Sequence, residues 1–220
     1  MDSKKSKPST QEDIDKLYKD FVPTQLGMLK QYSTLTEGTA EAIKALQRQG
    51  IKIGCSTGFT QEMVEVLKPE MARQKCILDA WVASDTVIHG ARPSPHMIYR
   101  NMDLLGIDFA GAIVKVGDTE GDIGEGLSGN TWTVAVFGAS NYTGIESLEQ
   151  LESMPPAELI KRQEYAREML EKSGAHYVIK TMKDLPKVID LINIRIKAGE
   201  TPNQGLMDTA SAKKTVASRL

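Results

Sequence analysis

The sequence has few cysteines, no long apolar run and no excess of positive charge, so it lacks the features of disulfide-rich, membrane and nucleic-acid-binding proteins. Its 220 residues include two cysteines, Cys55 and Cys76, which make no disulfide framework and are typical of a reducing compartment. No apolar run approaches the roughly 20 residues that cross a bilayer, and the polar N-terminus carries no secretory signal. The net charge of −2 gives no basic excess for nucleic acid or an anionic membrane. We therefore expect a cytoplasmic protein with neither nucleic acid nor membrane as partner.

The composition that remains is that of an ordinary globular protein, with 40% hydrophobic and 25% charged residues. Strand patterns alternate with helical patterns along most of the chain. The predicted strands are 51–56, 81–84, 112–117, 132–137 and 176–179. The predicted helices are 11–32, with Pro23 kinking or dividing it, 37–49, 61–75, 95–105, one from about 121, 156–172 and 181–198. This alternation predicts an α/β fold with a parallel sheet, whose ligands collect at the carboxyl ends of the strands.

The segment 115–122, Lys-Val-Gly-Asp-Thr-Glu-Gly-Asp, is the most informative part of the chain. It delivers Asp118 to the end of an apolar strand and Asp122 to the start of the next helix. Mg²⁺ prefers one or two carboxylates together with water and phosphate oxygens. The alternative is that acidic residues simply favour a helix N-terminus, and for Asp122 alone that alternative is serious. The whole pattern favours a metal site.

A second candidate element follows the strand at 51–56. Thr57 and the amides of Gly58 and Phe59 can hold a phosphoryl oxygen at the N-terminus of the next helix. The alternative role for Thr57 is that of a helix cap, but Thr60 is the better cap. Taken alone, this signal is weak.

Arg92 lies in a proline-rich loop that leaves the same edge of the predicted sheet. A guanidinium on a stiff loop suits a phosphate group, which it can hold with two hydrogen bonds. The alternative is a surface salt bridge, and charge alone favours that alternative. The other parts of the edge favour phosphate.

The last three residues, Ser218-Arg219-Leu220, are similar to the Ser-Lys-Leu peroxisomal address, with arginine in place of lysine. The alternative is an ordinary polar ending. A peroxisomal location is therefore a second expectation beside the cytoplasm.

Three segments in order carry a family resemblance: Gly50–Met63, Ala91–Met97 and Lys115–Asp122. They resemble the phosphonoacetaldehyde hydrolases of the haloacid dehalogenase superfamily, and the likeness extends from about residue 11 to about residue 192. The resemblance implies a Rossmann-like core with a helical cap, and Mg²⁺ as cofactor. It also implies that Thr57 and Arg92 are catalytic, that Thr57, Gly58 and Arg92 bind substrate, and that Asp118 and Asp122 bind the metal.

The chemistry that the resemblance implies has two covalent steps. A cap lysine forms a Schiff base with the aldehyde of phosphonoacetaldehyde, and the iminium accepts the electrons of the breaking carbon–phosphorus bond. An aspartate takes the phosphoryl group, and the products are acetaldehyde and phosphate.

The sequence departs from this family in one large respect. The family begins with a strand ending Asp-x-Ala-Gly-Thr, followed by most of the cap with its lysine, and neither is matched here. The segment Asp108–Ala112 looks superficially similar, but no apolar strand precedes it. We therefore predict a sheet whose central first strand is missing. The predicted organisation is a disordered stretch at 1–10, a cap remnant at 11–35, a core at 36–198 and a loose tail at 199–220.

Two expectations follow from the missing strand. The chain by itself should fold poorly, or upstream sequence is absent from it, because two apolar sheet edges would be exposed. The function expected is that of a phosphonoacetaldehyde hydrolase-like protein acting on a small phosphonate or phosphate. The alternatives are an inactive relative that binds Mg²⁺ and phosphate, and another phosphatase of the superfamily. By itself the chain should release no acetaldehyde, and a homodimer is a possible assembly.

Overall fold

The computed structural model describes residues 9–89 and 92–203 as an α/β protein. The strands are β1 (Gly54–Thr57), β2 (Ala80–Ala83), β3 (Val114–Gly117), β4 (Trp132–Val136) and β5 (Tyr177–Ile179). The helices are α1 (Gln11–Leu29), α2 (Thr39–Arg48), α3 (Gln61–Arg73), α4 (His96–Leu105), α5 (Glu120–Ser128), α6 (Leu148–Ser153), α7 (Pro156–Lys172) and α8 (Leu185–Lys197). Each predicted strand is present with ends that differ by a few residues, whereas α6 was not predicted.

The helix boundaries follow from local chemistry. The side chain of Thr60 accepts a hydrogen bond from the amide of Met63 and caps α3, as the sequence predicts. Thr119 caps α5 in the same way through the amide of Asp122. Gly106 ends α4 with a φ of 63°, a conformation that glycine adopts without strain. Pro23 lies inside a continuous α1, so the helix is not divided there.

The strands form two parallel sheets rather than one. Among the described strands, β1 pairs only with β2, in the register Cys55↔Trp81. Strands β3, β4 and β5 form the second sheet, with β4 in its centre. Within residues 9–89 and 92–203 no strand joins β1 to β3. The predicted α/β fold with parallel strands is confirmed, but the described strands form two sheets because no strand among the described residues pairs with both β1 and β3.

Helices cover both faces of the three-stranded sheet, and β4 shows this most clearly. Trp132 and Val134 face α2 and α8, where they pack against Leu46 and the apolar side of α8. Ala135 faces the opposite way, toward α5 and α7. Because successive side chains of a strand point to opposite faces, this strand has a buried residue on each side. The apolar core therefore lies around β4.

Helix α1 presents much of its apolar surface to solvent, including Leu17 and Phe21. Its C-terminal half borders a hollow of about 330 Å³ that reaches Phe59, next to the end of β1. The assignment of 11–35 as a cap remnant stays a prediction.

Some predictions fall on parts of the chain without a described structure. Of the predicted disordered stretch 1–10 and the predicted loose tail 199–220, residues 1–8 and 204–220 lie outside the described residues, and so does the address at Ser218–Leu220. At the described ends of these stretches, Thr10 caps α1, and Pro202 is buried with its carbonyl oxygen 2.8 Å from the His176 Nε2. None of the helices in the described part is long and apolar enough to cross a membrane.

Candidate active site

The turn after β1 is held in place by residues that follow β2. The amide of Phe59 donates to the Thr57 side-chain oxygen at 3.2 Å, which leaves the Thr57 hydroxyl proton available to a ligand. The Ser84 hydroxyl donates to the carbonyl of Gly58 at 3.0 Å. Gly58 itself is exposed, and a Cβ at this position would meet nothing within 4 Å. The turn is thus held in place by these hydrogen bonds, while its Gly58 side is open to a ligand.

Arg92 reaches this turn from its loop and connects it to the start of α5. One terminal nitrogen donates to the carbonyl of Ser56 at 2.9 Å, and the other lies 3.0 Å from a carboxylate oxygen of Asp122. Its Nε lies 3.4 Å from Glu125. A guanidinium has five N–H donors, so one donor remains on each terminal nitrogen. The surface salt-bridge alternative is wrong, because the carboxylates that Arg92 pairs with are buried.

Asp122 turns toward these cations. Its Oδ1 lies 3.0 Å from Arg92 and 3.1 Å from the ammonium of Lys115. Its Oδ2 accepts the Thr119 hydroxyl at 2.7 Å. Gly117 permits this position, because a Cβ there would overlap the Asp122 side chain. Burial raises the pKa of Asp122, but the charges of Lys115 and Arg92 outweigh it and hold the pKa below its usual value.

Asp118 stands at the end of β3 in a different environment. It is half-buried, and its carboxylate accepts a hydrogen bond from the backbone of Asn141. The Ser140 hydroxyl donates to the carbonyl of Asp118 at 2.8 Å, which fixes the strand end. Burial, followed by the negative charge of Asp122, raises the pKa of Asp118. A cation beside Asp118 would relieve both effects.

Asp118 is therefore better suited than Asp122 to bind a metal ion. No cation of the described residues pairs directly with the Asp118 carboxylate, which lies where positive charge is favoured. Asp122 already has partners on both oxygens. The described residues contain no group of three or more His, Cys, Asp or Glu side chains that could hold a metal ion. The arrangement suits a cation such as Mg²⁺ that keeps several waters and takes one protein carboxylate together with a ligand oxygen.

Two residues of this cluster were missed by sequence reasoning. Lys115 and Glu125 are buried, with their side chains 8% and 0% exposed, and their charged atoms lie 2.6 Å apart. Two signals could have identified them: a lysine inside an apolar strand, and a glutamate three positions after Asp122 on the same helical face. Both patterns are common on solvated surfaces, so neither is specific.

The remaining candidates do not join the site. Asp108 is exposed and precedes β3, at the opposite end of the strand from Asp118, so its segment is indeed a coincidence. Burial raises the pKa of the Cys55 thiol to about 11, so this thiol is not activated as a nucleophile.

Comparisons with known proteins place this geometry in a family. A family model described as haloacid dehalogenase-like hydrolase matches residues 4–129, more than half of the chain. Phosphonoacetaldehyde hydrolase of Klebsiella pneumoniae is 39% identical over 193 residues, which cover 88% of this chain and 71% of the relative. Phosphonoacetaldehyde hydrolase of Salmonella agona is 37% identical over 190 residues, with coverages of 86% and 70%.

Solved structures agree with these matches. The crystal structure of a phosphonoacetaldehyde hydrolase-like protein from Oleispira antarctica superposes with a TM-score of 0.83 at 33% identity, and covers 89% of this chain and 70% of that one. A haloacid dehalogenase-like protein from Agrobacterium tumefaciens superposes with a TM-score of 0.56 at 17% identity, with coverages of 84% and 72%, which supports the fold alone. This chain belongs to the phosphonoacetaldehyde hydrolase family of haloacid dehalogenase-like hydrolases.

Proposed function

We propose that the chain binds the phosphoryl group of phosphonoacetaldehyde, or free phosphate, at the carboxyl ends of β1 and β3. The observation that carries this proposal is the position of Arg92, which contacts Ser56 beside Thr57 and Asp122 beside Asp118. The oxygens of the phosphoryl group would share the two remaining guanidinium donors, the Thr57 hydroxyl and the amide of Gly58. This is the combination of charge-assisted and backbone donors that suits a tetrahedral anion.

Mg²⁺ fits this site through Asp118. Bound there, the ion would offset the negative charge that the phosphoryl oxygens and the carboxylate bring together. Asp122 acts in this scheme through Arg92 and Lys115, whose positions it holds, rather than as a direct ligand.

The described residues supply the binding part of the family's reaction. The reaction also needs a carboxylate that takes the phosphoryl group and an amine that forms the Schiff base with the aldehyde. Among the described residues no strand lies between β1 and β3 to carry such a carboxylate. We therefore propose that the chain by itself binds phosphate without turnover, and that hydrolysis of phosphonoacetaldehyde requires both groups to be supplied.

Titration calorimetry with inorganic phosphate, with and without Mg²⁺, tests the binding proposal. We expect binding that strengthens with Mg²⁺ and is lost in Arg92→Met. The control is Arg100→Met, which removes an exposed arginine of α4 that pairs with Asp103 on the same helix. Absence of phosphate binding in the unmodified chain, or equal binding by Arg92→Met, contradicts the proposal.

An acetaldehyde-release assay with phosphonoacetaldehyde and Mg²⁺ tests the second part. We expect no release above the reagent blank. Release that disappears in Asp118→Ala would show that the chain contains its own attacking group.

A further inference from the structure

Lys115 is a buried cation in the middle of a strand. Its neighbours Val114 and Val116 pack into the apolar core, so its side chain points to the opposite face, toward α5. The ammonium has three N–H donors, and three acceptors surround it: the Ser56 hydroxyl oxygen at 2.7 Å, Asp122 at 3.1 Å and Glu125 at 2.6 Å. All of its donors are thus used by the protein. One of these contacts reaches across the unpaired interval between β3 and β1.

Glu125 is the matching buried anion. One of its oxygens lies within 2.6 Å of Lys115, 3.2 Å of the Ser56 hydroxyl and 3.4 Å of the Arg92 Nε. Its other oxygen, Oε1, is buried and has no hydrogen-bond partner among the described residues. A fully buried carboxylate with one unsatisfied oxygen costs free energy that an apolar side chain would avoid. An apolar residue at position 125 would therefore be better for stability. The presence of a carboxylate there points to a role other than stability.

The position of Arg92 supplies that reason. Arg92 lies in a loop, so no regular backbone hydrogen bonding fixes the direction of its side chain. Three oxygen partners from two separate elements fix it instead. Arg92 donates to the Ser56 carbonyl on β1 and forms ion pairs with Asp122 and Glu125 on α5. The pair with Glu125 is purely ionic, because the Arg92 Nε has no hydrogen-bond partner among the described residues. Glu125 also pairs with Lys115, and Lys115 in turn donates to the Ser56 hydroxyl oxygen.

We propose that Glu125 and Lys115 are positioning residues for the phosphoryl-binding site, and this inference rests on the proposed function. Glu125 aligns the Arg92 guanidinium. Lys115 sets the separation between the end of β1, with Thr57, and the end of β3, with Asp118. Neither residue needs to touch the bound phosphoryl group.

Single and double substitutions separate positioning from simple structural support. Lys115→Met takes from buried Glu125 its nearest cation and leaves it the Arg92 Nε at 3.4 Å. Glu125→Leu takes from buried Lys115 its nearest anion and leaves it Asp122 at 3.1 Å. Each variant therefore lowers the urea midpoint of unfolding. The double variant removes both charges together and keeps the volume close to that of the original pair. We expect its midpoint to recover above those of both single variants.

Phosphate affinity should behave differently from stability. In the double variant we expect the Kd for inorganic phosphate with Mg²⁺ to stay weaker by about tenfold or more, the scale of one misaligned charge-assisted hydrogen bond. Glu125→Gln keeps the shape and one acceptor oxygen, and we expect it to show an intermediate affinity. Recovery of both stability and phosphate affinity in the double variant overturns the proposal. If the double variant does not fold, Glu125→Gln decides, and wild-type affinity in that variant overturns the proposal as well.

A measurement without ligand distinguishes failure of this inference from failure of the proposed function. The Nε–Hε signal of Arg92 in a nitrogen–proton NMR spectrum, assigned by its disappearance in Arg92→Lys, reports how firmly the guanidinium is held. We expect a dispersed, slowly exchanging signal in the unmodified chain and a signal at the solvent-exposed position in the double variant. An unchanged Arg92 signal in the double variant overturns positioning whether or not phosphate binds. A shifted Arg92 signal in a chain that never binds phosphate supports positioning and overturns the phosphoryl-binding role.

Discussion

The two flanks of β3 are built from different interactions. On one flank β3 pairs with β4 along its whole length, from Val114↔Trp132 to Gly117↔Ala135. On the flank toward β1 there is no backbone pairing among the described residues, and charged side chains make the connection. Lys115 and Arg92 provide the positive charges of that connection, and Asp122 and Glu125 the negative ones.

The two flanks should respond differently to substitution of their residues. The β4 flank relies on apolar burial, which has no preferred direction and scales with the area removed from water. The β1 flank relies on buried charges, each of which is favourable only while its partners remain in place. The first flank gives stability, and the second places polar groups where a ligand needs them.

The largest expected effect lies on the β4 flank. Trp132 is fully buried, its Nε1 donates to the Gly111 carbonyl at 3.1 Å, and the Arg195 guanidinium lies 4.5 Å from its ring centre. Trp132→Ala should lower the free energy of unfolding by about 3–5 kcal/mol, because it leaves a large cavity in the core. Urea denaturation measures this change. Ile194→Ala, at an exposed position of α8, should change stability by less than about 0.5 kcal/mol, and a similar small change in Trp132→Ala would contradict the assignment of the core.

A substitution at Gly117 tests the charged flank, because an added methyl group would displace the Asp122 side chain. In Gly117→Ala the new Cβ would overlap Asp122, so we expect a loss of about 1–3 kcal/mol and weaker phosphate binding as Asp122 leaves Arg92. The matched control is Gly121→Ala in α5, where the new Cβ would lie 3.6 Å from Arg92, an ordinary contact. That control should gain up to about 1 kcal/mol from helix propensity. Equal stabilities of the two variants in urea would show that Gly117 is not needed for the approach of Asp122.

On the β4 flank, His176 should make the free energy of unfolding depend on pH, with a smaller effect than the substitutions above. Its Nδ1 accepts from the Thr133 amide at 3.0 Å, and its Nε2 lies 2.8 Å from the Pro202 carbonyl. Burial and then the charge of Arg195 lower the pKa of His176 below the ordinary histidine value of 6.5, although the Pro202 carbonyl opposes them. The unfolded chain therefore takes up a proton first, so stability that is present above pH 6.5 is lost as the pH falls through the folded value.

The corresponding measurement compares urea midpoints at neutral and mildly acidic pH. His176→Gln keeps an acceptor and a donor but does not titrate, so its midpoint should fall less between the two conditions. His89→Gln, at an exposed position, should keep the wild-type pH dependence. An identical pH dependence in His176→Gln and the unmodified chain would exclude His176 as the cause.

The smallest effect is expected at a surface ion pair. Arg167 lies 3.2 Å from Glu164 and 3.7 Å from Glu171 on the exposed side of α7, with its side chain 45% exposed. Arg167→Gln should change stability by less than about 0.5 kcal/mol, because solvent screens the pair. Urea midpoints at low and high salt test this, since salt should abolish even that small difference. A loss comparable with that of Lys115→Met would remove the distinction between buried and exposed cations.

Much of the site could be predicted from the sequence, because the carboxyl ends of parallel strands lie at the same edge of a sheet. Thr57 ends β1, Asp118 follows β3, and Arg92 lies in the loop after β2, so all three were predicted at that edge. Helix α6 was missed because six residues are too few for a periodic pattern. Lys115 and Glu125 were missed because their burial depends on how closely α5 approaches β3, at a place where Gly126 leaves no room for a side chain.

The alternation of apolar strands and helices by itself determined the parallel α/β fold, the family resemblance and the residues at the strand ends. Only the tertiary structure decided that Asp122 faces two cations and that Lys115 connects β3 to Ser56. The contacts of Ser56 with Arg92, Lys115 and Glu125 join residues 36, 59 and 69 positions apart. Local patterns report periodicity over one helix or strand, whereas the partners of a buried charge depend on distances between segments that are remote in sequence.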